Sequence, residues 1–549
     1  MDQLPTKPGP TTLLTLPPEI QHEIFSYLTA SYGKPTIQAV LRTCKQLYEV
    51  ALPLSVSVFR NAAPYPKDEG VCSRARNLQF LRYILVSKPW LAKYVKTVIT
   101  GRFTQDGDGD GESENERTIS DHELAVYQHI IEFSFGEFPT FPKHFLEGVP
   151  WSVAWVRDLK SNSDAQFALI LVVCPNIQTI LMETSMTGTY LAFLLVFLRR
   201  CWKGIMKAKF PHKIIPLSNL QDFFHEARPS MKDKSFTEGS QVFYSPRMRV
   251  YEGIEMELSD EAGYISQLPR RSSPVEEITL YQSIIEAGAL FDMLGACRAL
   301  KKFEMTCYNH SPTNPLDATA ARDVLDAVLP HASTLEHLYI SRLEAWRDGS
   351  VLKSTPERLY MGARLREMHA LKTLTVGMQA LTGMLAYSSP CSDMPLMFEG
   401  APRLVDCLPE NIESLTIHSC GPQILEQLEE LVEALVLGGR FKNLTYIGLL
   451  FHAWKVDTKE VPAHMRKMEE SFRHKLGKRT LVMDAGLQCE QAYRHDSWSA
   501  WDNTSDRPGQ MMSRIYAPGF RRLFLQRRMK PAYALSGGMP LYDPVLLAS

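Results

Sequence analysis

The chain has 549 residues, of which 45% are apolar and 22% are charged. These fractions are ordinary for a globular protein and exclude a wholly disordered chain or a collagen-like fibre. With 60 basic and 61 acidic residues the net charge is -1, so the chain as a whole is not attracted to nucleic acid or to an anionic membrane. We therefore do not expect a nucleic-acid-binding protein.

The cysteines and the apolar runs predict the compartment. The 10 cysteines lack the close spacing of zinc ligands or of a disulfide scaffold, which is typical of a reducing compartment. The chain does not open with a basic segment followed by an apolar one, as a secretory leader would. The longest apolar run, 191–198, is much shorter than the ~20 residues that a membrane-spanning helix needs. We expect an intracellular protein, cytoplasmic or nuclear, that does not enter a membrane.

The N-terminal segment predicts two short amphipathic helices. The first has Pro17 and Pro18 in its opening turn, where no backbone N–H donor is needed, and Ile20 and Ile24 at helical spacing. The second covers 37–54, again with apolar residues on one side. Because two helices of this length bury little core by themselves, their apolar faces need the rest of the chain or another protein.

These residues resemble an F-box, a short helical module that binds the Skp-type adaptor of cullin–RING ubiquitin ligases. The resemblance covers 12–58 and rests on Leu-Pro-x-Glu-Ile in the first helix and Leu-x-x-Cys-x-x-Leu in the second, as in F-box proteins of fungal type. It implies that seven residues contact the adaptor or support that contact, namely Leu16, Pro17, Ile20, Ile24, Leu28, Leu41 and Leu47. Some of the seven are expected to pack the two helices together instead. The alternative is a helical pair that packs only on its own domain.

Linker helices and the first repeat-like units are predicted over 74–187. Within this region lies the acidic loop 105–117, whose alternate aspartates match the opening of an EF-hand calcium loop. The twelfth position of such a loop should be a bidentate Glu but is Arg117, so no metal site is predicted. After the loop, Ser120-x-x-Glu123 has the pattern of a capping box and predicts the start of a helix.

A six-residue pattern then recurs, with apolar residues at its first, fourth and sixth positions. Its copies begin at Ile177, Val275, Leu300, Leu335, Leu371, Ile412 and Leu444. A short parallel strand that buries alternate residues explains the spacing, and the repetition resembles leucine-rich repeats. The predicted fold class is α/β, with the short helical F-box followed by an irregular leucine-rich-repeat-like solenoid of strand–helix units over 275–455. The alternative is a doubly wound α/β domain, whose units give similar patterns.

On each predicted strand, the side chains that alternate with the buried apolar residues would point away from the core and towards a partner. Aromatic and hydrogen-bonding groups there suit protein recognition. The candidates for substrate contact are Tyr281, Glu304, His337, Tyr339, Thr375, Thr416, His418 and Tyr446, with Thr279, Thr306 and Ser414 beside them. The alternative is that most of them are merely solvated strand residues.

Two further regions complete the predicted organisation. Residues 188–274 carry scattered basic residues, prolines and glycines, and predict an irregular or loop-rich insertion with one strand hidden in 211–224. Residues 456–549 predict a C-terminal cap and tail. They include a strand over 479–485 and a basic cluster at 520–530 that is interpreted as a surface helix.

No segment has the pattern of a nucleophile elbow, a phosphate-binding loop or a dinucleotide fingerprint. We therefore predict no catalytic residue, no metal and no cofactor. The function that the resemblance implies is that of a substrate-receptor subunit of a Skp–cullin–F-box ubiquitin ligase, which binds the adaptor through the F-box and a protein substrate of unknown identity through the repeats. Two alternatives are a non-catalytic interaction scaffold outside ubiquitination and an α/β enzyme with an unrecognised site.

Overall fold

The computed structural model describes two compact units of the chain. The described residues of the first unit are 12–32 and 34–57, and the second unit begins at Val58. The described residues are 12–32, 34–61, 73–101, 103, 118–135, 151–182, 189–205, 209–226, 240–254, 256–258, 268–307, 319–341, 358, 360–384, 400–421, 423–437, 439–452 and 481–488.

The N-terminal unit consists of a short turn and three helices. The turn is the 3-10 segment Leu13–Thr15, and the helices are α1 (Pro18–Tyr32), α2 (Lys34–Leu41) and α3 (Lys45–Ser55). The three helices pack around a small core made of Phe25, Ile37, Leu47, Ala51 and Leu54.

The prediction of one helix over 37–54 is wrong, because the chain breaks between α2 and α3. The hydroxyl of Thr43 donates to the carbonyl oxygen of Val40 at 2.6 Å, at the end of α2. Cys44 is then extended, with φ -157° and ψ 165°, and α3 starts directly after it. A side chain that bonds the last turn of a helix competes with the continuation of that helix, and apolar spacing does not reveal this.

The second unit is built on one parallel sheet of 13 strands within the described residues. The strands are β1 (Val58–Asn61), β2 (Thr97–Thr100), β3 (Thr179–Met182), β4 (Asp222–Glu226), β5 (Val250–Ile254), β6 (Glu257–Leu258), β7 (Glu277–Ile285), β8 (Lys302–Cys307), β9 (His337–Ser341), β10 (Thr373–Gly377), β11 (Ser414–Cys420), β12 (Tyr446–His452) and β13 (Val482–Gln488). They lie side by side in the order in which the chain passes through them, except that the short β6 pairs beside β7. The predicted α/β class is confirmed.

Helices fill most of the connections between the strands. They are α4 (Arg74–Leu81), α5 (Asp121–Phe135), α6 (Trp151–Asp158), α7 (Ser163–Val173), α8 (Thr189–Trp202), α9 (Ala287–Ala296), α10 (Ala321–Val328), α11 (Met378–Thr382), α12 (Leu404–Cys407) and α13 (Ile424–Val436). Their buried side chains and those of the strands form one continuous apolar core. Within the described residues, none of the helices has the length and apolarity needed to cross a bilayer.

A buried carboxylate links two of these helices. Asp164, in the first turn of α7, accepts hydrogen bonds from the backbone N–H groups of Tyr190 at 2.7 Å and Leu191 at 3.0 Å. These two donors belong to the first turn of α8, where backbone N–H groups have no partner within the helix. Asp164 therefore caps a helix that begins 25 residues after it along the chain.

The six-residue pattern forms strands as predicted. In the copy that gives β10, Leu371 lies just before the strand, and Leu374 and Val376 point inwards from it; all three are fully buried. The first and fourth residues of every predicted copy are buried in the same way. The second residue of successive copies forms a ladder of alternating charge that consists of Arg249, Glu276, Lys301, Glu336, Lys372 and Glu413.

The prediction that 188–274 is an irregular insertion is corrected by the structure. The sheet continues through this region, since β4 pairs with β3 and β5 pairs with β4, both in parallel. The same pattern is present in Leu220 with Phe223 and in Met248 with Tyr251, but His225 and Gly253 stand at its sixth position in place of apolar residues. The strand expected within 211–224 is present as β4, and the strand expected over 479–485 as β13.

The capping box before α5 is confirmed. The carboxylate of Glu123 accepts from the backbone N–H of Ser120 at 2.9 Å, and the hydroxyl of Ser120 accepts from that of Glu123 at 3.3 Å. The same carboxylate pairs with Arg82, whose hydrogen bond lowers the pKa of Glu123 below its ordinary value although burial opposes this. The acidic loop 105–117 and the basic cluster 520–530 lie outside the described residues.

Candidate functional site

The N-terminal unit exposes an apolar stripe along α1. The exposed fraction is 43% for Ile20, 37% for Ile24 and 66% for Tyr27, although each side chain is large and apolar or aromatic. Residues 20, 24 and 27 follow helical spacing and so share one side of α1. Single exposed apolar residues are common on protein surfaces, but a contiguous row on a short helix is typical of an interaction surface.

The seven predicted adaptor residues divide between this surface and the core. Leu47 is buried with the aromatic ring of Phe25 in the helical core, and Leu41 packs against the edge of that core. Leu16 is half-buried and Pro17 is exposed at the start of α1. Ile20 and Ile24 belong to the exposed stripe, whereas the side chain of Leu28 lies outside the described residues. Leu47 and Leu41 therefore support the helices, while Ile20, Ile24 and Pro17 are accessible to a partner.

The turn before α1 adds two leucines that the sequence analysis did not single out. Leu13 and Leu14 are 39% and 46% exposed. The turn is closed by Thr15, whose hydroxyl accepts from the backbone N–H of Thr12 at 2.9 Å and donates to the Thr12 carbonyl at 2.8 Å. The signal that could have found them is the pair of adjacent leucines directly ahead of the Leu-Pro motif.

The outward side of the sheet carries the predicted substrate residues in two rows. In one row Thr279, Glu304, Tyr339, Thr375 and Thr416 lie opposite one another on consecutive strands β7 to β11. The neighbouring row brings His337 of β9 into line with Thr373, Ser414 and Tyr446 of β10 to β12. The structure thus brings residues that lie far apart in the sequence onto one surface.

Exposure differs among the predicted substrate residues, including those outside the two rows. His337 is exposed, and six further candidates are half-buried. These six are Tyr281, Glu304, Tyr339, Thr375, Thr416 and Tyr446. Thr306 and Ser414 are also half-buried, whereas Thr279 is buried.

His418 differs from the other candidates because its side chain is buried and hydrogen-bonded within the sheet. It is buried, and its Nε2 lies 2.8 Å from the carbonyl oxygen of Ile340, two strands away. The residue opposite it on the intervening strand is Gly377, which has no side chain to block this approach. We interpret His418 as a structural link between strands β11 and β9, because a partner could reach its ring only by disrupting that bond.

Glu304 is the centre of a polar network on β7 and β8. Its carboxylate pairs with the ammonium group of Lys302 at 2.6 Å and accepts from the Thr279 hydroxyl at 3.3 Å. The phenol of Tyr281 lies 3.5 Å from the same carboxylate. On the next strand, partial burial and the charge of Lys302 lower the pKa of His337, which favours its neutral form near pH 7.

The sheet surface over β10 to β12 has no charged side chain in these two rows. Thr373 faces Ser414, and Thr375 faces Thr416, so two pairs of hydroxyl groups lie on adjacent strands. On β12 the ring of Tyr446 lies along its own strand, because a Cβ atom at Gly448 would be 2.9 Å from the Tyr446 hydroxyl oxygen. This region offers hydrogen bonds without charge, in contrast to the ion pair on β8.

Among the described residues, no three His, Cys, Asp or Glu side chains converge as metal ligands would. Burial raises the pKa of the thiols of Cys174, Cys201 and Cys297, which keeps them protonated and unreactive near neutral pH. The described residues thus present two features for the discussion of function, the exposed apolar stripe on α1 and the outward rows of β7 to β12. No protein-family model matches the chain, and no curated protein shows significant similarity to it.

Proposed function

We propose that this protein is a substrate-receptor subunit of a Skp–cullin–F-box ubiquitin ligase. The observation that carries the proposal is the exposed apolar stripe of Ile20, Ile24 and Tyr27 on a three-helix unit whose own core is filled by other residues. A helix whose apolar residues remain exposed after its unit has folded is suited to bind a partner protein. The Leu-Pro-x-Glu-Ile motif at the same helix indicates which partner, a Skp-type adaptor.

The second unit is proposed to be a leucine-rich-repeat-like solenoid. A doubly wound sheet reverses its strand order at a switch point, where its ligand-binding crevice forms. Here strands that follow one another along the chain are also neighbours in the sheet. This order is expected of stacked repeats, in which each unit contacts only the units before and after it.

The outward rows of strands β7 to β12 are the proposed substrate surface. They combine tyrosine rings, an ion pair and hydroxyl groups, which suit recognition of a protein. The protein would perform no bond chemistry of its own. It would hold an acceptor lysine of the substrate close to a ubiquitin carrier, and such proximity replaces a bimolecular encounter by a local one. The cullin–RING ligase would be reached through the adaptor, in the cytoplasm or the nucleus.

Binding to a purified Skp-type adaptor tests the proposal. We expect wild-type protein to form a complex, and the variant Ile20→Asp, Ile24→Asp to lose it. Two carboxylates buried at the interface without partners should cost several kcal/mol, about a hundredfold or more in Kd. Both isoleucines are partly exposed in the free protein, so the variant should still fold, which circular dichroism would verify.

The matched control is Gln38→Asp, Ala39→Asp, which introduces the same two charges at exposed positions of α2. This control should bind the adaptor like wild type. Absence of binding by folded wild-type protein would withdraw the ligase proposal. Binding without substrate-dependent ubiquitin transfer in a reconstituted cullin–RING reaction would favour a scaffold.

A further inference from the structure

Two glutamine side chains hold the turn that precedes α1. The Nε2 group of Gln21 donates to the carbonyl oxygens of Leu13 at 3.0 Å and Leu16 at 2.8 Å. The Nε2 group of Gln46, at the start of α3, donates to the carbonyl oxygen of Leu14 at 3.0 Å. Three carbonyl oxygens of this short segment, those of Leu13, Leu14 and Leu16, thus accept hydrogen bonds from side chains of two different helices.

Gln21 is completely buried, which makes its bonding pattern informative. A buried amide is costly unless its polar atoms are hydrogen-bonded, so its partners are specified by the fold. The donors of Gln21 are directed to the turn, and its Oε1 atom has no hydrogen-bond partner within the described residues. Gln21 therefore fixes where the turn lies against α1.

The fixed turn presents two leucines to solvent. Leu13 and Leu14 are outside the core of the N-terminal unit, and both are more than a third exposed. In the chain they precede Ile20, the first residue of the exposed stripe on α1, by seven and six residues. If this segment only terminated the helical unit, it would not need both the hydrogen bonds from Gln21 and Gln46 to its backbone and two exposed leucines.

We propose that Leu13 and Leu14 belong to the adaptor-binding surface and that Gln21 and Gln46 are positioning residues that hold them there. This inference rests on the proposed function and extends the surface on the N-terminal side of the Leu-Pro motif. The occupant is the same Skp-type adaptor, because only the uncharged Thr15 separates the two leucines from Leu16 and Pro17 of the proposed adaptor motif. Gln21 and Gln46 act through the turn and do not touch the partner.

Affinity for a purified Skp-type adaptor, measured by isothermal titration calorimetry, tests this role. Leu13→Ala, Leu14→Ala should weaken binding by at least about tenfold, as truncation of interface leucines at an anchored site does. Gln21→Met keeps the volume of the side chain and removes both donors, so it should weaken binding although both leucines are intact. Gln46→Met should have the same effect to a smaller extent, since Gln46 holds one carbonyl group.

The decisive comparison combines the Gln21 substitution and the two leucine substitutions in one variant. If Gln21 acts through the turn, Gln21→Met should cause no further loss of affinity in the Leu13→Ala, Leu14→Ala background. Additive losses would overturn the positioning role and indicate that Gln21 only stabilises the unit. Wild-type affinity of Leu13→Ala, Leu14→Ala would overturn the inference while leaving the ligase proposal intact, and a wild-type protein that binds no adaptor would remove both. Should Gln21→Met unfold the unit, the leucine variant alone decides, because it leaves the core untouched.

Discussion

Single buried polar side chains determine how neighbouring segments of this protein join. Asp164 of α7 caps α8, and the ring of His418 on β11 is hydrogen-bonded to a backbone carbonyl group of β9. In the N-terminal unit Gln21 performs the corresponding role for the turn before α1. Each of these side chains forms hydrogen bonds with backbone atoms that secondary structure leaves unpaired or only partly paired. Its replacement would therefore weaken the attachment of the neighbouring segment without removing apolar core.

Replacement of Asp164 by Asn should change how stability depends on pH. Burial raises the pKa of Asp164 to about 6, although the two backbone donors oppose this. A raised pKa in the folded state means that the group stabilises the fold fully below its unfolded pKa, and that this contribution is lost as pH rises towards 6. With the pKa raised to about 6 in the folded state, the loss is about 2 kcal/mol between pH 4 and pH 7.

Urea unfolding of wild type and Asp164→Asn at pH 4, 5.5 and 7 measures this effect. The wild-type protein should lose stability relative to the variant as pH rises. The opposite trend would show that the hydrogen bonds from Tyr190 and Leu191 outweigh burial and favour the carboxylate. Asp158→Asn is a control, because Asp158 is half-buried in the same β2–β3 connection and accepts a hydrogen bond from the Tyr190 phenol at 2.6 Å without capping the helix.

The roles of individual residues were only partly predictable from the sequence. Spacing identified Ile20 and Leu47 as members of one motif, but it could not tell that the first is exposed and the second is in the core. That difference depends on how α1 and α3 are turned towards each other, which involves contacts between residues far apart in the chain. His418 was misjudged for the same reason, since its partner Ile340 lies 78 residues away.

At the scale of single elements, inward and outward positions alternate along each strand. β10 shows this clearly, because Leu374 is fully buried and Thr375, next to it, is half-buried on the other side. Such alternation is a direct consequence of strand geometry, in which successive side chains point to opposite faces. It also separates residues that stabilise the core from residues on the outward side of the sheet.

Truncation of these two neighbours should have very different effects on stability. Leu374→Ala leaves a cavity in the core and should lower the free energy of unfolding by about 3 kcal/mol, whereas Thr375→Ala should change it by less than about 1 kcal/mol. Chemical denaturation monitored by tryptophan fluorescence gives both values. Equal losses would contradict the assignment of Thr375 to the outward surface.

The strands were predicted where their apolar residues follow the usual types and missed elsewhere. The recognised copies have an apolar residue at the sixth position, and one of them has the aromatic Phe303 at the fourth. β4 and β5 were not assigned to the repeat series because His225 and Gly253 occupy the sixth position. The aromatic rings of Phe223 and Tyr251 stack on each other with centroids 6.1 Å apart, so the packing rather than the residue type is preserved.

At the scale of the whole molecule, the charge ladder joins successive units along one edge of the sheet. Glu276 pairs with Lys301 at 2.9 Å and with Arg249 at 3.3 Å, and Lys372 pairs with Glu336 at 2.8 Å. The hydrogen bond and charge of Lys372 hold the pKa of Glu336 below its ordinary value. The pKa of Glu276 is also lowered, because Lys301 and Arg249 outweigh the opposing effect of burial.

Removal of both carboxylates should make the protein less sensitive to acid. A lowered folded-state pKa gives stability that is present above the unfolded pKa of about 4.3 and is lost as pH falls through the folded value. Glu276→Gln, Glu336→Gln should therefore melt below wild type at pH 7 and approach it at pH 3. Melting temperatures at low and high salt complete the test, since exposed ion pairs are weakened by salt. A difference that persists at pH 3 would show that the carboxylate charges are not its cause.

The sequential order of the strands also has a consequence for insertions and deletions. Every strand pair joins strands that are consecutive in the chain, apart from β5 and β7, which pair with each other although the short β6 lies between them in the chain. Added residues between two strands therefore lengthen one connection and leave every other pair unchanged. The cost of closing a longer connection rises slowly with its length. Successive copies of the motif already start between 25 and 41 residues apart, yet β7 to β12 keep continuous pairing. Such a chain can gain or lose residues between its strands while the outward rows retain their spacing.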